Sequence, residues 1–252
     1  MVMNRPSRAR LRLTPPPPPA PGGPAKNRVL HRLPPQDRTR LLAALQPVTL
    51  ALGDVIAEPG RPLEHIYFPT SAVVSSLYTT QEGATAEMGL AGNDGVVGVS
   101  LFLGGGATPN HDVVIVAGEA FRLKAPALRQ EFAAGGALQA LLLEYTQALL
   151  TQISHTAVCN RLHPVEQRLS RWLLMCHDRV DRNDLQMTQE FISNVLGGRR
   201  ETVTVAAGRL QDAGLIRYGR GHITIVDRPG LEAAACECYP AVAGWCRRLA
   251  AV

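Results

Sequence analysis

Residues 188–216 read TQEFISNVLGGRRETVTVAAGRLQDAGLI, and this stretch decides the fold of the C-terminal third. Thr188 is of a type that caps helices, and Glu190 falls in the first turn, where a negative charge meets the positive end of the helix dipole. Phe191, Ile192 and Val195 follow as the buried side of a short helix. Gly197-Gly198 supplies a tight turn, because glycine tolerates positive φ. A second helix runs from Arg199 or Arg200 to Ala213, with Val203, Ala206, Ala207 and Leu210 facing inward. Arg200, Glu201 and Thr204 are thereby turned outward near its N-terminus. Helix, glycine turn, helix is the helix-turn-helix pattern, whose second helix enters the DNA major groove N-terminal end first.

Downstream, Leu215 to Tyr218 and His222 to Val226 are two β-runs around Gly219-Arg220-Gly221. They predict a hairpin that reads as a wing, with Arg217 and Arg220 placed to meet phosphates, which position a protein on DNA without reading sequence. Upstream, Val165 to Val180 predicts a helix with Val165, Leu169, Trp172, Leu173 and Cys176 on its apolar face, closed by the loop Asp181-Arg182-Asn183-Asp184.

Pro164 separates that helix from a longer one, Ala137 to Leu162. Leu138, Leu141, Leu142, Tyr145, Ala148, Leu149, Ile153 and Thr156 recur there at three- and four-residue spacing. At ~1.5 Å per residue such a helix is about 39 Å long, more than one small domain requires. A long apolar helix between two modules is a natural dimer seam, with Leu138, Leu141, Leu142, Tyr145, Leu149 and Ile153 as the expected interface. The alternative is a helix packed only on its own β-domain.

Further upstream the pattern becomes β. Between Val48 and Leu123 lie the runs VTLAL, DVIA, HIYFPTSAVVSSLYTT, TAEMGLAG, VVGVSLFL, DVVIVA and EAFRL, punctuated by Gly, Pro, Asn and Asp. Short strands at this spacing predict a sandwich, roll or barrel. Short helices are expected at 34–46, opened by Pro34-Pro35, and from Pro126 to Phe132. Residues 1–27, with four arginines and the run Pro15 to Pro19, read as a disordered tail.

Composition bounds the function. Apolar residues are 46% of the 252, enough to bury a core, whereas aromatics are only 5%, too few for a base-stacking single-strand binder. Between Leu50 and Ala120 stand Asp54, Glu58, Glu64, Glu82, Glu87, Asp94, Asp112 and Glu119 against Arg61 alone. From Arg161 to Gly230 eleven arginines face eight acids. An acidic module beside a mildly basic one suits a sensor or scaffold joined to a nucleic-acid reader. No apolar run reaches the ~18 residues of a membrane span, and the five cysteines, all at or after Cys159, fit a reduced cytoplasmic setting. Cys236-x-Cys238 with Cys246 is not a standard zinc pattern, so these read as small side chains on a short terminal helix and no metal is expected; a metal- or oxidant-responsive role is the alternative. Cys159 falls on the expected dimer seam.

The string GGRRETVTVAAGRLQDAGLI (197–216) resembles the DNA-binding segment of the CRP/FNR family of bacterial regulators, and the order of elements agrees over roughly residues 30–235. The resemblance implies an α+β fold: a cyclic-nucleotide-binding-like β-roll (28–132), a dimerisation helix (137–162), a winged helix-turn-helix (163–235) and a C-terminal helical tail (236–252). It implies that Arg200 bonds guanine O6 and N7, that Glu201 accepts from cytosine N4, and that Thr202 meets a phosphate. The expected DNA-contact set is Thr188, Gln189, Arg199, Arg200, Glu201, Thr202, Thr204, Arg217 and Arg220. The best-known members carry a third base-reading arginine where this chain has Val205, so its half-site should differ from theirs. Implied partners are double-stranded DNA, a second copy of the chain and, as a candidate, RNA polymerase, with no membrane.

Where nucleotide-binding members place a phosphate cassette, this chain has Val99 in the position of the glutamate and no arginine between Arg61 and Arg122. Cyclic AMP in the usual pose is therefore not expected, and no cofactor is assigned. The family's iron–sulfur cluster needs cysteines near the N-terminus, and none precedes Cys159. Two further readings stay open: a β-roll that senses a small molecule or redox state, and a cupin-like metal enzyme on the β-domain. The latter needs clustered ligands, and His65 and His111 are isolated in sequence. The expected protein is a homodimeric, non-enzymatic transcription regulator.

Overall fold

The computed structural model of the chain describes residues 23–197, 200–219 and 221–250. Seven strands build the N-terminal module: β1 (Gln46–Leu50), β2 (Val55–Ala57), β3 (His65–Pro69), β4 (Val73–Thr79), β5 (Thr85–Ala91), β6 (His111–Val116) and β7 (Gly118–Lys124). They form two antiparallel sheets, β1-β7-β3 and β2-β6-β4-β5. Leu50, Ala72, Val74, Ala91, Val97, Val114 and Ala120 fill the space between them. The β-run 65–80 turns a corner at Thr70–Ala72, where three successive amides donate to the Glu119 carbonyl at 2.8, 3.2 and 3.4 Å. A Cβ on Gly118 would stand 2.5 Å from the Ser71–Ala72 backbone, so the corner requires glycine there.

Two expectations for this module are corrected. VVGVSLFL is not a strand: Val97 makes one isolated bridge to Tyr67, Gly98 adopts φ 104°, and Val99–Leu101 closes a single 3-10 turn. The left-handed glycine turns the chain out of the pleat that its β-branched neighbours favour. The domain also begins before residue 28. Asn27 is fully buried; its Nδ2 donates to the Pro69 and Gly95 carbonyls at 2.9 and 2.8 Å, and its Oδ1 caps α1 (Arg28–His31) by accepting from the Val29 and Leu30 amides. Residues 1–22, the rest of the expected tail, lie outside the described residues.

The helices α2 (Pro35–Leu42) and α3 (Ala125–Ala133) lead to α4, which spans Ala137–Leu162 as the apolar periodicity predicts. Leu138, Leu141, Leu142, Tyr145 and Ala148 pack with α1, α3 and the roll in one core. Of the six side chains expected at a dimer seam, Leu138, Leu141, Leu142 and Tyr145 are buried in this intrachain core, and Leu149 and Ile153 are half-buried. The large apolar side chains that α4 leaves exposed are Leu143, Leu150, Val158 and Leu162, at 47, 54, 46 and 68%. Gln152 fastens α4 to β5, accepting from the Leu90 amide at 2.5 Å and donating to its carbonyl at 3.1 Å.

The C-terminal module contains α5 (Val165–His177), α6 (Gln189–Leu196), α7 (Arg200–Asp212), α8 (Arg228–Ala234) and α9 (Cys238–Ala250), with a sheet β8-β10-β9. Here β8 is Asp184–Gln186, β9 Ile216–Gly219 and β10 His222–Ile225; β8 was not anticipated by the loop reading of 181–184. The expected C-terminal helical tail is the helix α9. Its Tyr239, Val242 and Ala243 enter the core of this module, while Trp245 packs against that of the other.

The two modules share apolar packing. Val73, Leu77, Leu90, Ile115 and Val116 of the roll join Leu169, Trp172, Leu173 and Ile192 in one cluster. Two buried polar ties cross the boundary. Trp172 Nε1 donates to both Glu87 carboxylate oxygens at 3.1 and 3.0 Å, and the Ser75 hydroxyl donates to the same carboxylate at 2.6 Å. Arg179 forks onto Asp94 at 2.7 and 3.0 Å with both side chains almost wholly buried, a geometry that orients as well as binds. Among the described residues no helix is long and apolar enough to cross a membrane.

Candidate nucleic-acid interface

The helix-turn-helix follows from its local signals. Thr188 Oγ1 accepts from the Phe191 amide at 3.1 Å, capping α6, and Gly197 ends it with φ 58°, the left-handed C-cap that glycine provides. Ile192, Val195 and Leu196 are buried, as are Val203, Ala206, Ala207 and Leu210 on the inner side of α7. The opposite side of α7 opens to solvent with Arg200, Glu201, Thr202, Thr204 and Val205. Thr204 Oγ1 donates to the Arg200 carbonyl at 2.9 Å, which leaves its lone pairs outward. The wing is tied to this helix where the Tyr218 amide donates to Gln211 Oε1 at 2.8 Å, and Arg217 stands exposed on β9.

The structure thus brings Arg200, Glu201, Thr202 and Thr204 together at one helix end and places Arg217 on the adjoining wing. Thr188 is exposed at the start of α6, lining a crevice of about 300 Å³ shared with Leu52 and Val113 of the roll and Gly221 of the wing. Gln189 opens α6, and its side chain lies outside the description. Arg199 and Arg220 also lie outside the described residues.

The roll contains a cavity of about 130 Å³ bounded by Ser76, Met88, Ser100, Asn110, Asp112 and Tyr145, among others, with no lysine or arginine in its lining. Asp112 accepts from the Ser76 hydroxyl, and burial pushes its carboxyl up to about 6. Among the described residues one group of three or more potential metal ligands exists, and it lies outside the roll: Cys159, His163, Cys236 and Cys238. Sequence reasoning missed it. Its two halves, Cys159-x3-His163 and Cys236-x-Cys238, are weak signals singly, and 77 residues separate Cys159 from Cys236.

The chain thus joins a β-roll through a long helix to a winged helix-turn-helix whose second helix has a polar, exposed N-terminal end. Residues 167–234 match the family model of the Crp-like helix-turn-helix domain. Over the whole chain, a CRP/FNR-family regulator from Eubacterium rectale shares the fold at TM-score 0.64, with 17% identity over 82% of this chain and 96% of its own. FixK2 from Bradyrhizobium japonicum gives TM-score 0.65 and 17% identity over 76% of this chain and 98% of its own. The c-di-GMP-responsive regulator CLP from Xanthomonas campestris gives TM-score 0.56 and 18% identity over 74% and 96%. No curated protein matches the chain in sequence. The protein has the fold of the CRP/FNR family of transcription regulators and carries that family's helix-turn-helix domain.

Proposed function

We propose that the protein is a homodimeric, sequence-specific DNA-binding transcription regulator of the CRP/FNR type, acting by binding rather than by catalysis. The observation that carries this reading is the end of α7, where Arg200, Glu201, Thr202 and Thr204 face solvent while Val203, Ala206, Ala207 and Leu210 bury the other side. Arginine can fork onto guanine O6 and N7, and a glutamate can accept from cytosine N4. Thr202 and Arg217 supply phosphate contacts, and Thr188, Gln189, Arg199 and Arg220 extend the contact surface on the same family pattern. The dimer seam is assigned to the exposed side of α4, through Leu143, Leu150, Val158 and Leu162. Two recognition helices of such a dimer enter successive major grooves about 34 Å apart. RNA polymerase remains a candidate partner.

A phosphate-bearing effector such as the c-di-GMP of the Xanthomonas neighbour would meet a roll cavity without a cation and with a buried acid. At about 130 Å³ the cavity is also smaller than the ~300 Å³ where ligand pockets usually begin. This lining favours a small uncharged or cationic molecule in the cavity over a phosphate-bearing one. Selection from random duplex DNA without added ligand tests the main reading. An enriched palindrome with half-sites one helical turn apart supports it. Equal binding of all sequences, with and without cyclic nucleotides and cell extract, overturns it.

A further inference from the structure

The end of α4 and the turn before α9 place four metal-ligating side chains against one another. Cys159 and His163 lie one helical turn apart and so share a face of the chain as α4 ends. Cys236 lies in the turn after α8 and Cys238 opens α9, with Glu237 between them. All four ligand atoms lie within 4.8 Å of each other. Cys159 Sγ is 3.5 Å from Cys236 Sγ, and Cys238 Sγ is 3.8 Å from His163 Nδ1. A tetrahedron built on metal–sulfur bonds of ~2.3 Å has edges of about 3.8 Å, so these atoms already stand near the corners of a mononuclear site. They are too close to serve the separate irons of an iron–sulfur cluster.

The surroundings carry the features of a ligand shell. His163 Nε2 lies 3.1 Å from Glu237 Oε1, the carboxylate contact that orients a metal-binding imidazole and leaves Nδ1 for the ion. Cys159, Cys236 and Cys238 are buried at 0, 3 and 1% exposure and form a cluster of their own. Beside them Arg168 and Arg171 are buried, each with an Nε that finds no hydrogen-bond partner. Neither pairs with a carboxylate among the described residues. The buried Glu87 carboxylate is near enough to act electrostatically on Arg171, yet neither guanidinium forms an ion pair, and burying such groups is costly. Three thiolates and one imidazole around a divalent cation carry one net negative charge, which meets that need.

We propose that Cys159, His163, Cys236 and Cys238 form a closed tetrahedral site for a divalent metal ion of the zinc class, and that the ion clamps the end of α4 to the DNA-binding module. The clamp spans the His163–Pro164 joint between α4 and α5. Three sulfurs and one nitrogen in tetrahedral array are the donor set of structural zinc and disfavour magnesium, calcium or manganese.

Titration of cobalt(II) into the reduced, chelator-stripped chain tests this without DNA, so its outcome is independent of the regulator reading. One cobalt per chain is expected, with the intense visible absorption of tetrahedral thiolate coordination, displaced by one equivalent of zinc(II). Cys236→Ser abolishes that uptake. Glu237→Gln, at a side chain 80% exposed and so harmless to folding, weakens it about 10–100-fold. Zinc also slows amide exchange across residues 159–165 and 235–239. An octahedral cobalt spectrum or no saturable uptake by the reduced chain overturns the site; affinity unchanged in Glu237→Gln overturns the orienting role given to Glu237. A Cys159–Cys236 disulfide in oxidised protein whose reduced form takes up no cobalt does the same. Uptake without slowed exchange overturns the clamp.

Discussion

The proposed DNA reading places base recognition chiefly on Arg200. Its neighbours Val203 and Ala206 are buried, so the residue can be truncated without disturbing the core. Arg200→Ala should cost ~1–3 kcal/mol at the selected site and relax preference at one base pair. Competition binding against single-base variants of the site checks this, and a loss equal on all sequences would contradict base reading. Asp112 offers a residue-scale test inside the roll. Burial raises its carboxyl from 3.8 to about 6, so folding favours the protonated form. The stability this contributes is complete below pH 3.8 and is lost as pH rises through about 6. By the linkage relation the loss at neutral pH is on the order of 3 kcal/mol. Urea midpoints of Asp112→Asn and the parent chain, followed across that window, should converge at its acid end and separate at its alkaline end.

At the scale of elements, α4 shows what a sequence can and cannot tell. Its ends were legible from Gly136, Pro164 and an unbroken three-to-four apolar period. What covers its apolar side was not. A stripe such as Leu138, Leu141, Leu142 and Tyr145 announces that something packs there, and the same stripe serves a partner chain or the helix's own domain. The strand expected at VVGVSLFL failed for a different reason: one left-handed Gly98 outweighs the β preference of its neighbours. The helix-turn-helix was read nearly residue by residue, because caps, turn glycine and core spacing are all local signals. The cysteine–histidine group was illegible because its two halves meet only through the packing of α9 on α4. The exposed side of α4 carries its own prediction. Leu150→Glu places a charge at a position 54% exposed in the single chain and should leave the chain folded. If the proposed dimer forms through this side, the substitution should convert it to monomer in sedimentation equilibrium and weaken binding to a two-half-site duplex far more than to a single half-site.

Taken whole, the molecule joins its two modules through Trp172 and Arg179. Trp172→Phe keeps the apolar contact but leaves the Glu87 carboxylate with Ser75 as its remaining side-chain donor, in a site where burial already disfavours its charge. The cost should be ~1–3 kcal/mol. Calorimetry should then resolve two melting transitions, roll and DNA-binding module, where the parent chain shows one; a single transition shifted downward would mean that the tie stabilises without coupling.

The apolar cluster that runs from Val73 and Leu90 into Leu169 and Ile192 has a thermal consequence. Any rotation of the DNA-binding module away from the roll wets hydrocarbon surface, and wetting hydrocarbon raises heat capacity. The balance between docked and released arrangements must therefore curve with temperature rather than follow a straight van't Hoff line. Under the proposed function, DNA affinity measured in the cold should therefore not extrapolate linearly to higher temperature.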